Sequence, residues 1–118
     1  MIGKRDNETL KDEELLQSMT DSLVDELEAE EVILFGSRAD GTARKGSDVD
    51  LLIIVPDSEE ARRHRRLLTG RAYRRLGRYP VAKDILVYIR SEAERWRHVQ
   101  GHIVSTILSQ GRRLYGRT

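Results

Sequence analysis

The feature that most limits what this chain can fold into is a pair of short apolar runs, Glu31–Phe35 (EVILF) and Asp48–Val55 (DVDLLIIV), separated only by Gly36 to Ser47. Both runs are rich in residues that suit a pleated, buried strand, and each ends at a breaker, Gly36 in one and Pro56 in the other. A parallel pair would need a crossover built around a full helix. The intervening GSRADGTARKGS has three glycines and few apolar side chains, so it reads as a loop with one helical turn at most. The two strands are therefore expected to be antiparallel neighbours.

The rest of the chain alternates in the same way. From Thr9 to Ala29, Leu15, Met19, Leu23 and Leu27 recur every four residues, and Leu16 and Val24 widen the stripe, which predicts a helix with an acidic outer face. Ser58 is placed to cap a second helix running to Arg78, with Gly70 as its weak point. Val81–Ile89 (VAKDILVYI) reads as a third strand. Ser91 with Glu94 forms a capping-box pattern for a last helix, whose core stripe would be Trp96, Val99, Ile103 and Ile107 and which Gly111 would end. A short β-segment near Tyr115 is expected after it. The order α-β-β-α-β-α predicts an α/β fold, a small mixed β-sheet flanked by helices. Residues 1–118 are expected to form one domain, with residues 1–8 frayed or disordered.

Charge and composition narrow the class of function. Of 118 residues, 35% are charged and 38% apolar, a composition suited to a charged surface around one core. No apolar run approaches the about 20 residues of a membrane span, and the N-terminus lacks the apolar core of a secretory signal. With no cysteine, disulfides, thiolate metal sites and a cysteine nucleophile are excluded. A cytoplasmic location and no membrane partner are expected. The net charge of +1 conceals an asymmetry, because residues 1–31 hold 11 Asp/Glu against 3 Lys/Arg. The arginines from Arg62 to Arg78 suit either a solvated face or a partner dock, and with only Tyr73 and Tyr79 among them nucleic acid is not expected as a partner. His98 and His102 lie four apart but lack the third ligand a zinc site needs.

The chemistry concentrates in Gly36-Ser37 and Asp48-Val49-Asp50. Alternate strand residues share a face, so Asp48 and Asp50 project together and their charges call for a cation. Oxygen ligands of this kind suit Mg²⁺, which binds through a few carboxylates plus substrate phosphates. Gly36 permits close approach to a ligand, and Ser37 offers a hydroxyl to a phosphate. Asp84, within the third strand, supplies a third carboxylate, so that two metal ions about 4 Å apart could be held. Each residue alone is also an ordinary turn or surface residue; the joint pattern is what favours a site.

The segment LFGSRADGTARKGSDVDLLIIV resembles the signature of the DNA-polymerase-β-like nucleotidyltransferases: Gly-Ser, a ten-residue spacer, then Asp-x-Asp. In layout the chain is most similar to the minimal nucleotidyltransferases, the MntA-type antitoxins of HEPN/MNT toxin–antitoxin pairs. The resemblance implies the polymerase-β-like fold, a phosphate-binding turn at Gly36 and Ser37, and a contribution from Arg38 to holding the triphosphate. It implies metal ligation and catalysis by Asp48, Asp50 and Asp84, with Mg²⁺ (two ions, or Mn²⁺) and with ATP as substrate. The implied reaction moves AMP from ATP to a hydroxyl, a tyrosine, of a partner HEPN toxin. The alternative is a non-catalytic antitoxin that neutralises its partner by contact alone.

Overall fold

The structure, a computed structural model, describes residues 4–43 and 46–116. In chain order it contains α1 (Lys4–Leu27), β1 (Glu31–Phe35), α2 (Ser37–Asp40), β2 (Val49–Val55), α3 (Glu59–Arg63), α4 (Arg65–Arg75), β3 (Lys83–Ile89), α5 (Arg90–Trp96), α6 (Ile103–Gln110) and β4 (Arg112–Tyr115). A 3-10 turn, Leu76–Arg78, joins α4 to β3. The four strands form one mixed sheet in the order β3-β2-β1-β4. As the short connection requires, β1 is antiparallel to β2, with Phe35 opposite Asp50. The longer connection through α3 and α4 brings β3 parallel to β2.

Strand periodicity divides the core in two. Val32, Leu34, Leu51, Ile53, Ile85 and Val87 face α1, α4 and the 3-10 turn, where Met19, Leu23, Ala72 and Leu76 are fully buried. Ile33, Leu52 and Ile54 face the other way and pack on Ala93, Val104 and Ile107 of α5 and α6. Because helices cover both faces, β2 is apolar nearly throughout instead of alternating. Burying each large aliphatic side chain contributes about 1.5–3 kcal/mol, so the larger cluster dominates stability. Among the described residues no helix is long and apolar enough to cross a membrane.

Three helical expectations are corrected. First, α1 begins at Lys4, so residues 4–8 are helical; residues 1–3 lie outside the described residues, as do Arg44 and Lys45 of the loop. The helix stops at Leu27, two residues short of Ala29, where Glu28 takes a left-handed φ of 54°. Second, the helix capped by Ser58 breaks at His64 (φ −130°, ψ 45°), not at Gly70. The break lets α4 turn Leu68 and Ala72 onto the sheet, a stronger demand than the weak helix propensity of Gly70.

Third, the last helix is two helices. Helix α5 starts at Arg90, and Glu92, rather than Glu94, reaches back to accept from the Ile89 N–H at 3.2 Å. The Ser91 N–H instead donates to Asp57 at 2.9 Å. A turn then leads to α6, capped by His102, whose Nδ1 accepts from the Val104 N–H at 3.1 Å. This turn breaks the helical spacing, so Val99 and Ile103 are exposed and Val104 replaces them in the core. Trp96 stays half-buried and stacks on His102, ring centres 4.4 Å apart.

Much of the charge asymmetry is satisfied inside the chain. Arg71 of α4 donates to the side chain and backbone carbonyl of Glu26 at 3.0 and 2.6 Å, and Arg75 pairs with Asp25 at 2.9 Å. The acidic face of α1 is thus partly the counterpart of the arginine-rich helix, and the two are the partners that sequence order hides.

Candidate active site

The site is built at one end of the sheet. Phe35, Asp50 and Asp84 occupy one transverse row across β1, β2 and β3. The next row on the same face is Ile33, Leu52 and Leu86. Helices α5 and α6 cover that second row but stop short of the acids. Asp84 and Asp48 are exposed and Asp50 is half-buried. Asp84 therefore carries no burial cost; it is tolerated because it is the second residue of an edge strand, not because a hidden partner compensates it. Asp48 lies just before β2, which begins at Val49 rather than at Asp48.

Gly36 follows β1 with φ 74° and ψ −155°, and Ser37 opens α2. A left-handed φ is costly for a residue with a β-carbon. Space is the second constraint: a β-carbon on Gly36 would lie 2.3 Å from Oδ2 of Asp50. The turn and the carboxylate are thus in direct apposition, although 13 positions separate them in sequence. Beside them, a cavity of about 260 Å³ opens between α2 and α6, lined by Phe35, Gly36, Ala39, Ile103 and Ile107.

Electrostatics joins the acids. Burial pushes the Asp50 carboxyl above the ordinary carboxylate range; the charges of Asp84 and Asp48 push it the same way, and Arg38 opposes them. A half-buried carboxylate whose ionisation is opposed by burial and by two neighbouring carboxylates fits a divalent cation. Among the described residues, however, no three His, Cys, Asp or Glu side chains close into one ligand set.

Arg38 is placed differently from the other sequence-derived residues. Its Nε and Nη2 donate to the Ser47 carbonyl at 3.0 and 2.8 Å, so the guanidinium faces the loop. The structure also reveals a neighbour that sequence reasoning missed. The Tyr73 hydroxyl accepts from the Ile85 N–H at 3.0 Å, covering the free edge of β3 next to Asp84. A tyrosine within an arginine-rich helix gives no sign of this contact, which depends on where α4 crosses the strand. His98 and His102 form no metal cluster among the described residues.

Comparison with known proteins bears on the same elements. A crystal structure described as that of a "putative nucleotidyltransferase from Sulfolobus solfataricus" superimposes with a TM-score of 0.56 at 25% identity, covering 80% of this chain and 82% of that one. None of the curated proteins compared with the chain matches it. Residues 16–113 match the family described as "Nucleotidyltransferase domain". That match runs from α1 into β4 and includes every residue of the site above, and the chain belongs to the nucleotidyltransferase domain family.

Proposed function

We propose that the chain moves AMP from ATP to a hydroxyl, a tyrosine, of a partner protein of the HEPN toxin class, and so acts as an antitoxin of the MntA type. Nucleotidyl transfer as a reaction class follows from the family; the nucleotide, the acceptor and the partner are the proposal. The observation that carries the catalytic reading is the apposition of Gly36 and Asp50, with Asp84 directly across from Asp50. A simple binding surface has no need of a glycine wall against a half-buried carboxylate whose charge is already opposed by two neighbours.

Asp48, Asp50 and Asp84 would hold the divalent ions, Mg²⁺ or Mn²⁺. When bound, these ions neutralise the triphosphate and favour ionisation of the acceptor hydroxyl. The chain's own residues then have distinct tasks. The absence of a side chain on Gly36 lets the turn lie directly against the Asp50 carboxylate, and the Ser37 hydroxyl donates to a phosphate bound there. Attack forms the new P–O bond, the bond to the bridging oxygen breaks, and pyrophosphate leaves; the acceptor's proton goes to water at the open end of the sheet. Positioning and charge do the catalysis. Exposure of Asp48 and Asp84 leaves that end free for a protein-borne acceptor.

The alternative, neutralisation by contact alone, draws on the charge asymmetry. It is weakened where that asymmetry is consumed by pairs such as Arg71–Glu26 and Arg75–Asp25. Incubating the protein with Mg²⁺, ATP labelled on the α-phosphate and a purified HEPN toxin separates the two readings. Catalysis predicts a labelled toxin with the wild type and none with Asp50→Asn, at unchanged circular dichroism. Undiminished labelling by Asp50→Asn rejects the metal-site assignment, and protection of cells by an unlabelling triple Asp→Asn variant selects the alternative.

A further inference from the structure

Arg38 follows the Gly36–Ser37 turn directly, yet its guanidinium is turned inward, and only 13% of the side chain is exposed. Nε and Nη2 converge on one oxygen, the Ser47 carbonyl, at 3.0 and 2.8 Å. Nη1 lies 4.0 Å from Asp12 of α1. Ser47 immediately precedes Asp48. One side chain therefore ties the first turn of α2 to the peptide that delivers the first carboxylate, across a loop that includes Gly41 and Gly46, both at φ 83°. Glycines at these two positions have much conformational freedom to lose on ordering. A planar fork held by two donations to one oxygen restricts direction as well as distance, which a lysine ammonium cannot do.

We propose that Arg38 is a positioning residue: by holding the Ser47 carbonyl it sets where Asp48 and Asp50 stand relative to the Gly36–Ser37 turn, and through them the affinity of the site for a divalent cation. This rests on the nucleotidyl-transfer reading of the three carboxylates. It differs from direct binding of the triphosphate by Arg38 in what each would change. A phosphate ligand acts on ATP; a positioning residue acts on the cation even when no nucleotide is present. Residues that orient metal ligands commonly change metal affinity by about 10–100-fold when removed.

The test is Mn²⁺ binding to the full chain without nucleotide, followed by the electron paramagnetic resonance signal of the free ion. It compares wild type, Arg38→Lys, Arg38→Gln and Asp50→Asn, and adds the KM for ATP and kcat at saturating Mg²⁺. Positioning predicts that Arg38→Lys, which keeps the charge and loses the fork, weakens Mn²⁺ binding about tenfold. It also predicts a lower kcat with KM for ATP within about twofold, and faster amide exchange at Thr42 and Ser47. Should Arg38→Gln fail to fold, Arg38→Lys carries the comparison. Wild-type Mn²⁺ affinity in Arg38→Lys, with Asp50→Asn still impaired, overturns the inference alone; a raised KM for ATP in that case marks Arg38 as a phosphate ligand. Wild-type Mn²⁺ binding that is indifferent to Asp50→Asn overturns the site reading, and this inference with it.

Discussion

Gly36 and Asp50 are fitted to one another: the space that a side chain on Gly36 would need is taken by the Asp50 carboxylate, 2.3 Å from where the β-carbon would stand. Gly36→Ala therefore adds a clash to a backbone already at φ 74°. The strain should cost about 1–2 kcal/mol in stability. The displaced carboxylate should cost more in rate, about 100-fold or more in kcat. Urea denaturation and a nucleotidyl-transfer assay measure the two; a variant that turns over like the wild type would mean that Asp50 need not occupy this position.

Asp50 also sets a pH dependence whose sign follows from its surroundings. Its carboxyl is raised by burial and by Asp84 and Asp48. A carboxyl raised on folding favours the folded state only when protonated, so its contribution is present below the unfolded value and is lost as pH rises through the folded one. At pH 7, in chelator, Asp50→Asn should therefore melt higher than the wild type. The gap should close as pH falls from the raised folded value towards the ordinary 3.8. The same variant should lose at least about 100-fold in transfer rate. Melting scans between pH 7 and pH 4 check the sign, and a lower Tm at pH 7 would contradict it.

Removing the hydroxyl of Tyr73 should be felt at the strand edge beside Asp84. Tyr73→Phe leaves the Ile85 N–H without its acceptor at 3.0 Å. The expected cost is about 1 kcal/mol, because water can reach part of the edge. Amide exchange at Ile85 should accelerate while exchange in β2 is unchanged. Equal protection of Ile85 in both proteins would show that the hydroxyl does not guard the edge.

At the opposite end of β1, Glu31 is 6% exposed and held by Arg90 at 2.6 Å and Arg113 at 2.9 Å. Glu31→Gln should destabilise by about 2 kcal/mol, since it removes the charge that both guanidiniums face. Metal binding and transfer rate should stay as in the wild type, because the change lies at the end of the strand away from Asp50. A parallel loss of transfer rate in folded protein would show coupling along β1.

The strands and the core were largely legible in the sequence. Apolar runs bounded by Gly36 and Pro56, and a connection too short for a crossover, determine β1, β2 and their antiparallel pairing, because strand period and loop length are local properties. The stripe of Met19, Leu23 and Leu27 likewise fixes the buried face of α1. The spacing of Gly36-Ser37 and Asp48-x-Asp50 singled out two segments that the fold brings together, Gly36 lying against Asp50. Helix interruptions were not legible: the breaks at His64 and between Trp96 and Ile103 arise from how each piece must turn to cover the sheet, a demand that overrides propensity.

Only the tertiary structure decided which side chains meet. Register placed Asp84 across from Asp50, and an edge position, rather than a compensating partner, made Asp84 tolerable. The same packing turned Arg38 towards Ser47, brought Tyr73 to Ile85, and set the acids of α1 against the arginines of α4. These contacts join residues far apart in the chain through the geometry of sheet and helix, and sequence spacing holds no record of that geometry.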